Sequence, residues 1–182
     1  MHVIDDVILG GWAAFWVYWL ASSVGVKASQ SRSSRFSGAR VGLMLVTVLL
    51  LRTGALAGRA KTTDPWMDGA GLVIFVLGLA LAVWARLYLG RNWGMPMSRK
   101  VDPELVTTGP YRHVRHPIYS GMLLAMIGTA IAVNIYTLVA VVVLGAYFLY
   151  SAHTEERFMA SQFPDTYPLY RQSTKMLVPF VF

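Results

Sequence analysis

Four long apolar stretches, separated by polar segments, dominate the chain. Val7 to Val26 is twenty residues without a charge, and Gly69 to Leu89 is twenty-one residues with only Arg86. Val41 to Ala57 is shorter and carries Arg52. Pro117 to Ala152 is thirty-six residues with no charge. Crossing a bilayer core takes roughly 20 helical residues. The first three stretches therefore each predict one span, and the fourth predicts two with a tight turn between them. The expected architecture is an all-α, polytopic membrane domain with five helices over about 7–26, 41–57, 69–89, 117–133 and 134–152. The last two form a hairpin. The first stretch is too long for a secretory leader, and Asp5 and Asp6 stand where a basic region would be, so it reads as a retained helix.

Composition agrees with this pattern. Of 182 residues, 55% are hydrophobic and 14% charged, against roughly 45–50% and 25% in soluble domains. The net charge of +7 follows from topology. Five alternating spans put twelve of the sixteen Lys and Arg residues on one face and only Arg59 and Lys61 on the other, with Arg52 and Arg86 inside spans. Basic residues favour the cytoplasmic side. The N-terminus is thus expected outside, and the C-terminus in the cytoplasm. No nucleic-acid module accompanies the charge. Cysteine is absent, which removes thiol nucleophiles and cysteine metal sites.

The hairpin makes a geometric prediction. Asn134 is the strongly polar residue near the middle of the last apolar stretch and the expected turn. His116 lies eighteen residues before it and His153 nineteen after, so each arm is about 27 Å long. Antiparallel arms bring His116-Pro117 back to His153, Glu155 and Glu156 at the cytoplasmic boundary. Pro117 suits a helix first turn, while Pro164 and Pro168 should break the helix that continues past the last span. Ionisable groups gathered at a membrane-bundle edge suggest a functional site. A solvated, charge-balanced helix end is the other reading of the same residues.

The run Leu105-Val-Thr-Thr-Gly-Pro-Tyr-Arg-His-Val-Arg-His-Pro-Ile-Tyr-Ser-Gly121 resembles the signature of the isoprenylcysteine carboxyl methyltransferase family and the related phospholipid N-methyltransferases. The tail resembles the second block of that family: Glu155-Glu156, Phe163, Tyr167, Tyr170-Arg171 and Leu177-Val178-Pro179. Leu89 to Trp93 also fits. The likeness runs from about 86 to 179, which marks that half as the catalytic one.

The resemblance implies an integral membrane methyltransferase that uses S-adenosylmethionine, with the donor held by the cytoplasmic loop and tail. The acceptor is lipophilic: the carboxylate of a prenylated cysteine or similar lipid acid leads, and a phospholipid amine is the alternative. A sterol-reductase-like NADPH oxidoreductase is the competing class, though its chains usually have more spans. No Gly-x-Gly-x-x-Gly follows a strand, so a soluble nucleotide-binding fold is not expected.

Candidate residues follow from that chemistry. Glu155 and Glu156 are expected to meet the donor's cationic groups. Adjacent helical residues point ~100° apart, so one of them, Glu156, is expected to face the site. Tyr111, His113, His116, Pro117, Tyr119, Tyr167 and Tyr170 are expected to shape the cofactor pocket, the tyrosines by stacking or cation–π contact. Arg171 is expected to grip a carboxylate through its fork and, with Glu156, to be catalytic. Arg112 and Arg115 could do the same or answer only to topology. Arg86, Asn92 and Trp93 join Arg171 as candidate substrate-binding residues. For Arg86 the default expectation is snorkelling to the interface, and a place in the substrate pocket is the alternative. His113, His116, His153 and the glutamates are possible ligand types but lack a paired metal motif, so no metal is expected.

Overall fold

The computed structural model describes residues 3–22, 64–93 and 104–179. The expected span at 41–57 lies outside them. The described residues are helical, joined by one isolated parallel bridge between Val114 and Lys175. Helix α1 runs Val3–Ala21, α2 Pro65–Leu89, α3 Pro117–Ala132, α4 Thr137–Gln162 and α5 Tyr167–Ser173.

Local signals set these limits. Asp64 caps α2, its carboxylate accepting from the Trp66 amide at 3.0 Å, and Pro65 follows at the first helical position. The helix ends at Gly90, whose φ of +51° suits glycine. Asn134 forms the hairpin turn, accepting from the Tyr136 amide at 2.9 Å. The second arm continues to Gln162 because no Gly or Pro interrupts it after Gly145. Pro164 lies in the break that follows. Pro168, expected as a breaker, instead opens α5, where the missing N–H has no cost.

Among the described residues, three helical runs, Val3–Ala21, Pro65–Asn92 and Thr137–Gln162, are long and apolar enough to cross a bilayer. Helix α3, at sixteen residues, is shorter. Val73, Val76 and Leu77 on α2 and Val139, Val142 and Val143 on α4 are exposed, as expected of surfaces that meet lipid.

The tightest packing joins α2 to α3 rather than the two arms of the hairpin. Gly71 and Gly78 on α2 lie against Gly121, Ala125, Gly128 and Ala132 on α3. A Cβ at Gly78 would sit 2.3 Å from the Ala125 nitrogen, and one at Gly128 would sit 2.3 Å from the Phe75 nitrogen. Small residues of this kind let backbones meet where lipid supplies no hydrophobic drive. Helix α1 packs by its aromatic face. Its Trp12 indole donates to the Thr129 hydroxyl at 3.1 Å, and Trp19 meets Trp93 edge-on at 5.5 Å.

Arg86 does not snorkel. It is 5% exposed, donates to the Gly90 carbonyl at 2.8 Å and to the Ser22 carbonyl, and lies 4.7 Å over the Trp93 ring. It ties the end of α1 to the end of α2. The carbonyls freed at two helix ends supply acceptors inside the bundle, so the guanidinium need not reach water.

Candidate active site

The hairpin geometry delivers its main contact. At the mouth of α3 and α4, His116 Nδ1 lies 3.5 Å from Glu155 Oε2, and His116 Nε2 lies 3.6 Å from Glu156 Oε1. Both glutamates therefore reach one imidazole. The expectation that only one of them would face the site is corrected: the ring sits between two side chains long enough to converge on it.

Glu156 is the more interior carboxylate, its side chain 5% exposed against 27% for Glu155. Its main partner is Arg115, whose Nε donates at 2.6 Å. Arg115 also donates from Nη1 to the Arg171 carbonyl at 3.2 Å and to the Thr174 carbonyl at 2.5 Å. One guanidinium thus joins the loop before α3, the α4 carboxylate and the tail. Arg171 Nε approaches Glu156 Oε2 at 3.6 Å, but its own side chain is 61% exposed. Glu155 accepts from the Tyr119 hydroxyl at 2.6 Å.

The tail reaches the cluster by backbone pairing. The Arg115 amide donates to the Lys175 carbonyl at 2.8 Å, and the His116 amide to Met176 at 3.1 Å. The Tyr170 hydroxyl donates to the Tyr111 carbonyl at 2.6 Å. Tyr167 is buried and meets Tyr170 edge-on at 6.0 Å. Three rings stack in parallel beside the carboxylates: His116 on Tyr119 at 5.5 Å and Tyr119 on Phe148 at 4.6 Å.

Electrostatics follow from this packing. Burial alone would pull the His116 pKa down, but hydrogen bonds to Glu155 and Glu156 and their charges outweigh it, and the net direction is up. Burial pushes the Tyr111 and Tyr170 hydroxyls up, so both stay protonated at neutral pH.

The cluster thus gathers Glu155, Glu156, His116, Tyr119, Tyr167 and Arg171, with Pro117 starting the helix beneath it. Tyr111 and Tyr170 close it from the loop and tail. Two of the expected histidines lie elsewhere. His153, expected beside His116, is exposed and directs Nδ1 to the Leu149 carbonyl of its own helix at 2.8 Å. His113 is exposed and lines a separate cleft with Arg112 and Lys175. Arg86 and Trp93 form the junction described above, with Trp93 in the same core as Tyr111, Tyr119 and Phe148, and Asn92 donates to Glu104 at 3.1 Å. Among the described residues, no group of three His, Cys, Asp or Glu could hold a metal ion.

Sequence reasoning left Arg115 open between gripping a carboxylate and answering only to topology, and the structure makes it the hub. Its signal was available: a basic residue next to a histidine already paired with the carboxylates. Phe148 carried no sequence signal beyond being apolar.

The phospholipid methyltransferase family model matches residues 67–166, more than half of the chain. The chain belongs to this family. The cobalt-zinc-cadmium resistance protein CzcN of Cupriavidus metallidurans is 33% identical over 69% of this chain and 57% of its own length. Protein-S-isoprenylcysteine O-methyltransferase A of Arabidopsis thaliana is 32% identical over 76% of this chain and 72% of its own. The solved structure of the eukaryotic intramembrane Ras methyltransferase, isoprenylcysteine carboxyl methyltransferase, superposes with a TM-score of 0.54 at 27% identity, covering 83% of this chain and 54% of that one. The chain thus spans little more than half the length of CzcN and of that structure. Its apolar helices and the intramembrane neighbour make this phospholipid methyltransferase family member an integral membrane protein.

Proposed function

We propose that the chain is a membrane methyltransferase that takes its methyl group from S-adenosylmethionine and passes it to a lipophilic acceptor, foremost the carboxylate of a prenylated cysteine or similar lipid acid. The observation that carries this reading is the cluster of two carboxylates, a histidine and two arginines at the hairpin mouth, in a chain of this family. Its relatives include protein-S-isoprenylcysteine O-methyltransferases.

The residues fit the donor's chemistry. Glu155, the more open carboxylate, suits an ammonium or sulfonium. Arg171, loosely held and mostly exposed, suits a carboxylate. The His116–Tyr119–Phe148 stack offers aromatic faces beside these groups. S-adenosylmethionine, when bound, supplies a methyl group already activated on a sulfonium. The protein's work is then positioning. Arg115 fixes Glu156 and the tail, and through them the orientation of His116. Tyr119 orients Glu155. Arg171 grips an anionic group with two parallel donors.

The protonation pattern favours a carboxylate acceptor. An amine would have to lose a proton first and would need a general base. Here Glu156 is committed to Arg115, and His116 is driven towards its protonated form by two glutamates. A carboxylate is ionised at neutral pH and asks only to be held. The bias of basic residues supports an external N-terminus, with the C-terminus and the site in the cytoplasm, so the donor arrives from water and the acceptor from lipid.

The purified protein in detergent, titrated by calorimetry with S-adenosylmethionine and with NADPH, should bind the first and not the second. The reverse outcome removes the proposal. Incubation with methyl-labelled donor, prenylcysteine analogues and membrane lipid extract then identifies the acceptor. Alkali-labile label marks an ester, and stable label marks the amine.

A further inference from the structure

A parallel bridge joins Val114 to Lys175. Towards the bundle lie the buried Val114 and the Arg115 that pairs with Glu156. A cleft of about 150 Å³ opens between the loop before α3 and the tail, lined by Arg112, His113, Ser173, Lys175 and Pro179. Among the described residues, two permanent cations and an imidazole line it, and no carboxylate does. Among the described residues, none of the three has an ion-pair partner, whereas Arg115 and Arg171 both meet Glu156. The Ser173 hydroxyl is spent on the Tyr170 carbonyl at 3.0 Å, which leaves attraction to the cations.

We propose that this cleft is a binding site for a phosphate group, separate from the carboxylate cluster. Its volume is about half the lower end of pockets that take drug-sized ligands, about 300 Å³. It therefore suits a compact charged group rather than a nucleoside. A guanidinium and an ammonium facing one space, with no acid among the described lining residues, suit an anion. The cleft lies just before the first turn of α3, and the exposed Val178 adjoins it in the tail. On the proposed topology, this end of α3 lies at the headgroup level of the bilayer. Arg112 and His113 belong to the loop and Ser173 and Lys175 to the tail, so an occupant joins the same two segments that Arg115 joins. Phosphate binding there strengthens the Val114–Lys175 pairing and steadies the tail over Glu156. The phosphate can come from an anionic lipid headgroup or from free phosphate, and the experiment separates the two sources.

The test uses intrinsic tryptophan fluorescence to follow thermal unfolding of the whole chain. One arm places it in nanodiscs with and without phosphatidylglycerol in a phosphatidylcholine background. The other keeps it in detergent with and without inorganic phosphate, against chloride of equal ionic strength. The wild type should melt higher with phosphatidylglycerol, with inorganic phosphate, or with both. The pattern names the source. The Arg112→Gln/Lys175→Gln double variant should lose the shift, with apparent affinity falling about fivefold per cation removed. Arg91→Gln/Arg157→Gln, which removes two exposed cations outside the cleft, should keep it. Lys175→Gln alone is the milder variant should the double one fold poorly, and it should show half the loss on a logarithmic scale. Three outcomes overturn the proposal: no shift in the wild type, an equal shift in the cleft and control variants, or phosphate binding abolished by S-adenosylmethionine, which would assign the cleft to the donor's own carboxylate.

Discussion

Two regions of this molecule hold helices together by opposite means. Between α2 and α3, Gly71, Gly78, Gly121 and Gly128 let backbones touch, and nothing polar is needed. At the mouth of α3 and α4, large charged side chains meet, and a short tail stitches them with Arg115 at the centre. The first region tolerates no added atom. The second depends on partners staying matched in charge. On the proposed function, a bundle that admits a lipophilic acceptor and a water-borne donor keeps its rigidity in the seam and its chemistry at the mouth.

The seam should give the largest effects. Gly78→Leu forces side-chain carbons into the Ala125 backbone and should abolish folded protein in detergent. Gly78→Ala should cost at least about 1–3 kcal/mol by thermal melting. Gly145→Ala is the contrast: its Cβ would find only the Leu123 side chain, at 3.8 Å, and should change stability by less than about 1 kcal/mol. Equal effects at both positions would remove the seam from the account.

The mouth should respond to charge rather than volume. Arg115→Met leaves Glu156 buried without its main partner and should destabilise by about 3–5 kcal/mol. Adding Glu156→Leu removes the stranded charge and should recover much of that loss. A double variant as unstable as the single would mean that Arg115 acts through the tail carbonyls alone.

Acidity sharpens the contrast. The folded-state pKa of His116 is raised above the unfolded value of about 6.5. Its pairing with Glu155 and Glu156 therefore stabilises fully below that unfolded value, and the contribution fades as pH rises through the folded value. Melting temperature followed across this window should fall more in the wild type than in His116→Gln, and parallel profiles would contradict the pairing. The smallest effect is expected at Arg171, exposed and 3.6 Å from Glu156. Arg171→Ala should cost at most about 1 kcal/mol of stability, while weakening whichever carboxylate it grips, as a methyl-transfer assay would show.

The mouth was more legible in the sequence than the seam. A charge-free stretch of known length with Asn134 at its middle fixes where its ends return, and so places His116 beside Glu155 and Glu156. The seam left a fainter mark. Gly71 and Gly78, and Gly121 and Gly128, each recur after seven residues, two helical turns, but glycine is common in membrane helices for many reasons. Arg86 misled because sequence position says only how far a guanidinium lies from the interface. The carbonyl acceptors that hold it inside come from Ser22 and Gly90, which folding brings together. His153 misled similarly: at the expected height, it turns to its own helix.

The central claim is that the mouth holds S-adenosylmethionine, with Glu155 against its cationic groups. Calorimetric titration of the donor into wild type and Glu155→Gln tests it most directly, with melting temperatures measured in parallel to confirm that the variant folds. The account predicts clear binding to the wild type and affinity at least about tenfold weaker in the variant, a loss of roughly 1.4 kcal/mol. Equal affinity in a folded variant would contradict it.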